Sequence, residues 1–94
     1  MSQQFEPIDK EKIAGLSFPA EDVLSSEDKK KERIYELNRA MTLGNMEQIK
    51  FKIYFEDDNA PKYTETTIWG VTDKRVILKK GVVIPIHRIH KINY

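Results

Sequence analysis

The spacing of apolar residues changes twice along the chain, and each change predicts a change of structure. Over "SSEDKKKERIYELNRAMTLGN" the residues Ile34, Leu37, Ala40 and Met41 recur three and four positions apart, the period of a helix with one apolar stripe. Ser25 or Ser26 supplies an N-cap oxygen, Glu27 and Asp28 face the positive end of the helix dipole, and Gly44-Asn45 suits a left-handed cap. A helix is therefore predicted over 27–43, with Lys29, Lys30, Lys31, Glu32 and Arg33 on the solvated surface around its beginning.

After the cap the period becomes two. Ile49, Phe51, Ile53 and Phe55 alternate with Lys50, Lys52, Tyr54 and Glu56, which predicts a strand over 48–56 with one buried and one wet face. "DDNAPK" is a turn, in which Asp57 and Asp58 serve turn geometry rather than a cation. The β-branched and aromatic run "YTETTIWGVTD" predicts a second strand over 62–72, with Gly70 marking a bend or bulge and Trp69 expected in the core. Two short strands follow over 75–79 and 82–86, the latter with Pro85 where no ladder amide is needed. Ile86, Ile89 and Ile92 then recur every three residues, which suits one turn of 3₁₀ helix before a fifth strand over 90–94.

Residues 1–24 read as a leader, interrupted by Pro7, Gly15 and Pro19, with a helical turn or two over "IDKEKIA". Its apolar residues, Ile8, Ile13, Leu16, Phe18, Val23 and Leu24, are too many for a segment that buries nothing, so part of it is expected to dock. The fold class expected is mainly β within α+β: residues 25–94 form one domain, an N-terminal helix followed by a small five-stranded antiparallel barrel.

Composition narrows the chemistry. At 94 residues, 39% hydrophobic and 33% charged, the chain has apolar residues for one modest core, and assembly into a homo-oligomer would help it. With no cysteine there are no disulfides or thiolate sites, a pattern compatible with a reducing cytoplasm, where the protein is expected. No apolar run approaches the roughly 20 residues of a membrane span. No nucleophile elbow, phosphate loop or metalloprotease motif occurs, and His87 and His90 lack a third zinc ligand, so a noncatalytic module without metal or cofactor is expected.

The net charge of +1 conceals an asymmetry. Residues 1–61 hold nine Lys/Arg against thirteen Asp/Glu, and residues 62–94 hold seven against two. Such a basic half suits an anionic partner, or an acidic face elsewhere on the same or a second chain. The candidate surface comprises Lys50, Lys52, Tyr54, Arg75, Lys79, Lys80, His87, Arg88 and Lys91, a basic rim in which Tyr54 or Arg75 stacks a base. RNA or another single-stranded nucleic acid is the first expectation.

Two segments carry a resemblance. "VTDKRVIL" (71–78) looks like the D-x-x-V-I-L segment of the bacterial Sm-class RNA chaperones, and "IPIHRIHKI" (84–92) resembles their second Sm motif in place and apolar spacing. In that comparison Arg75 stands where the family has a stacking aromatic, and His87 matches the histidine of its Y-K-H motif, with Pro85 and Ile86 replacing the tyrosine and lysine. The order of elements, a helix and five short strands with a bent second strand, resembles the Sm-like variant of the SH3-type barrel, and it is also similar to the Rho-binding antiterminator family, which implies a protein partner. More weakly, "TTIWGVTDKRVILKKGVVIPIHRIHKI" resembles the hairpins of bacterial PH-like or GRAM-like modules, which implies a lipid headgroup.

Overall fold

The structure, a computed structural model, describes residues 4–93; the leader's first three residues and the last residue of the expected fifth strand, Tyr94, lie outside the described residues. Helix α1 spans Glu27–Glu47. Ser26 caps its start, its Oγ accepting from the Lys29 N–H at 3.4 Å. The end lies four residues beyond the predicted 43, where Gln48 takes left-handed angles (φ 57°, ψ 36°) and donates its N–H to the Gly44 carbonyl. Gly44 is not the cap because it has a different use. A Cβ there would stand 2.8 Å from the backbone oxygen of Ile68, so the glycine lets the helix lie directly on a strand.

The buried stripe of α1 is Arg33, Leu37, Ala40 and Gly44, one position round from the one expected. Ile34 is left 39% exposed and Arg33, expected among the solvated residues, is buried. Its guanidinium explains the exchange: Nη1 and Nη2 donate to the two Asp22 carboxylate oxygens at 2.9 and 2.8 Å, and Nη1 also donates to the Ile89 carbonyl at 3.0 Å.

Among the described residues, seven strands form two sheets. A four-stranded sheet has the order β1-β3-β2-β7, with β1 at Glu6–Pro7, β2 at Phe51–Glu56, β3 at Pro61–Thr66 and β7 at Ile89–Asn93. A three-stranded sheet has the order β4-β5-β6, from Ile68–Val71, Arg75–Leu78 and Val83–Pro85. Strand β1 pairs parallel with β3, and every other pairing is antiparallel. The predicted 62–72 strand is two strands that divide at the buried Thr67, and a register shift between Ile68 and Gly70 marks the expected irregularity.

The expected closed five-stranded barrel is absent among the described residues; the architecture is α+β in two sheets. Closure would require β6 to pair with β7, and local chemistry opposes it. Pro85 ends β6 with no amide to give, and a 3₁₀ turn over Ile86–Arg88 separates the two strands. The His87 carbonyl accepts from the Val23 amide at 3.0 Å, and the Ile89 carbonyl from Arg33. The leader and helix thus take the groups that a closing strand would use.

The core lies between the sheets and under α1, where Leu37, Ile53, Phe55, Ile68, Val76, Leu78, Ile84 and Ile89 are fully buried. Ile13 of the leader joins them from a 3₁₀ turn at Lys10–Gly15, with Ile8, Leu16 and Phe18 packed alongside. Trp69, expected in the core, alternates outward from Ile68 on β4 and is 49% exposed. No described helix is long and apolar enough to cross a membrane.

Candidate nucleic-acid interface

The turn "DDNAP" sets the geometry of the site. Asp57 Oδ1 accepts from the amides of Asn59 and Ala60 and from Lys62 Nζ, at 3.1, 2.9 and 2.9 Å. Burial pushes that carboxyl up, but the hydrogen bonds from Ala60, Lys62 and Asn59 outweigh it and hold the pKa below its ordinary value. The turn fixes Glu56 opposite Pro61, and the register then places Tyr54 opposite Tyr63 and Lys52 opposite Glu65. On the other side of β2, Lys52 faces Asn93 and Tyr54 faces Lys91.

A register shift in β7 completes the face. The pairing passes from Phe55–Ile89 to Tyr54–Lys91, so His90 is an extra residue in the ladder. That insertion lets Ile89 and Ile92, three apart, both turn toward the core while His90 and Lys91 join the outer face. The outer face of β3, β2 and β7 consequently gathers two tyrosines with lysines across them. The Tyr54 and Tyr63 ring centroids are 5.5 Å apart, Lys91 Nζ lies 5.1 Å from the centre of Tyr54, and Lys52 Nζ lies 5.9 Å from that of Tyr63. Phe5 adds a third ring, edge-on to Tyr54 at 5.1 Å and to His90 at 5.4 Å.

The predicted site residues divide into separate groups. Lys50, Lys52, Tyr54 and Lys91 fall on or beside this face. Arg75 is exposed at the start of β5, after a turn in which Thr72 Oγ1 accepts from the Lys74 and Arg75 amides. Lys79 and Lys80 are exposed four residues on, in the β5–β6 turn, where Lys80 and Gly81 take φ of 68° and 83°, the geometry of a primed hairpin turn. His87 is half-buried, its Nε2 donating to the Pro19 carbonyl at 2.8 Å.

Arg88, expected on the rim, is buried. Its Nε donates to the Glu56 carbonyl at 3.0 Å and its Nη1 to the Glu21 carbonyl at 2.8 Å, so it ties the leader to the end of β2. His90 is also engaged, with Nε2 3.0 Å from Glu56 Oε1, a carboxylate partner that the linear spacing did not suggest. Among the described residues no three His, Asp or Glu side chains gather as a metal site.

Sequence reasoning missed Tyr63, Phe5 and Glu56. Tyr63 was within reach, because a four-residue turn after Glu56 sets it opposite Tyr54, whereas nothing local to Phe5 marks its destination. Beside this face a cleft of about 850 Å³ opens between α1 and β7, lined in part by Val23, Leu24, Lys29, Leu37, Lys91 and Asn93. Comparison of the chain with protein-family models, with curated proteins and with solved structures finds no match.

Proposed function

We propose that the protein is a noncatalytic module that binds single-stranded nucleic acid, RNA foremost, across the outer face of β3, β2 and β7. The observation that carries the reading is the Tyr54–Tyr63 pair with Lys91 and Lys52 over its rings. Every base has a π-face, so a stacking platform accepts many sequences, at about 1–3 kcal/mol per stacked base. The lysines supply the phosphate attraction, which salt weakens. Arg75, Lys79 and Lys80 lie at the ends of β5, away from the tyrosine pair, and contribute long-range attraction rather than contact.

The test is fluorescence anisotropy with short labelled poly(U), poly(A) and mixed strands, at low and at physiological salt. Binding that falls steeply with salt, weakens with Lys52→Glu and Lys91→Glu, and is lost with Tyr54→Ala is the expected result. An unchanged anisotropy at low salt sinks the reading. In that event the cleft between α1 and β7, with Val23, Leu24 and Leu37 in its wall and Lys29 at its rim, favours a protein partner instead.

A further inference from the structure

We propose that the leader covers its own binding face, with Phe5 occupying the aromatic surface on which a base would stack. The inference rests on the nucleic-acid reading above and adds a competitor to it. Phe5 is half-buried while its neighbours Gln4, Glu6 and Pro7 are exposed, so one side chain anchors this part of the leader. That side chain lies on the two residues where the face is most ring-rich, edge-on to Tyr54 of β2 and His90 of β7. A ligand base seeking Tyr54 meets Phe5 first.

The attachment is slight enough to compete. Strand β1 is two residues long, pairs only Glu6 with Lys62 and Pro7 with Tyr63, and buries neither side chain. Pro7 has no amide to contribute, and the next bond is from the Ile8 N–H to the Tyr63 carbonyl at 2.9 Å. From Ile8 onward the leader is held differently, through Ile8 against the core and Ile13 within it. Residues 4–7 can therefore lift as a unit about Ile8 without disturbing the fold.

A covered face binds with an apparent affinity reduced by the fraction of molecules that are open. Removing the two ring contacts of Phe5 should restore that fraction, so Phe5→Ala is expected to bind labelled poly(U) roughly 3- to 10-fold tighter than the unmodified full chain. Proton–proton cross-relaxation between the Phe5 and His90 rings gives a second readout, which should vanish when the unmodified protein is saturated with poly(U). Tighter binding of the variant together with loss of that signal supports the proposal, as does binding by the variant alone. Equal or weaker binding by Phe5→Ala, or a ring–ring signal that survives saturation, overturns the cover and leaves the nucleic-acid reading standing. If neither protein binds poly(U) at low salt, both fall.

Discussion

Arg33 and Arg88 lie 7% and 5% exposed with their guanidinium groups against carbonyl oxygens, whereas Lys52 and Lys91 lie across the outer face of a sheet with their ammonium groups over tyrosine rings. All four are cations in basic stretches, yet they belong to different regions. The guanidinium fork can satisfy several acceptors at once, and here it joins the leader, β2 and β7 at a seam that has no strand to close it. An ammonium on a flexible stem has no such fork, and at Lys52 and Lys91 it lies over a tyrosine ring on the outer face of the sheet. The contrast separates the basic residues that hold the fold from those available for binding.

The sharpest break in the comparison is to remove an arginine from the seam. Arg33→Ala leaves the Asp22 carboxylate without its bidentate partner and the Ile89 carbonyl without a donor, and Arg88→Ala strips the Glu56 and Glu21 carbonyls. Each is expected to cost about 2–4 kcal/mol, a fall in Tm of roughly 10–20 °C for a domain of this size. Lysine at either position should recover little, because one ammonium cannot reach both sets of acceptors. Thermal and urea unfolding of the four variants checks this, and losses no greater than those of Lys52→Ala would erase the distinction.

Gly44 comes next in size. A valine there meets the Ile68 backbone oxygen and the Thr67 methyl, at 2.8 and 3.0 Å from Cβ, and backbone cannot step aside cheaply. The expected cost is about 1–3 kcal/mol. Gly44→Ala should cost less, since alanine recovers up to about 1 kcal/mol of helix propensity. A variant as stable as the parent in urea would show that α1 has room to move off β4.

How much of this was legible in the sequence depends on how local its cause is. Helix α1, the alternation of β2, the 3₁₀ turn at Ile86–Arg88 and the Asp57 turn all follow from residues within a few positions of one another. The burial of Arg33 does not, because the residues that satisfy it, Asp22 and Ile89, lie 11 and 56 positions away. A lysine-rich helix start gives no sign that its one arginine is the inward residue. Gly44 was misread for the same reason: its partner is Ile68 on another element, and a glycine near a helix end looks like a cap until that partner is placed. Half of the site was visible as the Lys50, Lys52, Tyr54 row. Lys91 was assigned to a rim and reached this face through the β7 bulge, which no single-strand pattern reveals.

Acid provides a milder way to loosen the seam. The Arg33 guanidinium holds the Asp22 carboxyl below its usual pKa, against the effect of burial and with help from the Leu24 amide. Asp57 is lowered as well, its hydrogen bonds outweighing its burial. A carboxylate with a depressed folded pKa gives stability that is whole above the unfolded value of about 3.9 and is lost as the pH falls from there through the folded value. Stability set by these two groups is therefore expected to be flat from neutrality to about pH 5 and to decline below about pH 4. Asp22→Asn should start less stable at neutral pH and lose less on acidification; a parallel decline in parent and variant would remove Asp22 from the account.

The smallest changes in stability should accompany a large change in binding. Lys52→Glu and Lys91→Glu alter surface charges, and each is expected to shift unfolding by no more than about 0.5 kcal/mol. If the outer face is the interface, each should nevertheless weaken binding to poly(U) by roughly tenfold at low salt and lower the salt slope by about one. Lys79→Glu and Lys80→Glu carry the same charge change in the β5–β6 turn, away from the tyrosine pair, so their effect should stay within about a factor of two to three and vanish as salt screens it. Equal losses at all four positions would mean that net charge, not this face, attracts the ligand. Separation of the two pairs at constant net charge would assign binding to the tyrosine face, because the four variants differ only in where the charge is reversed.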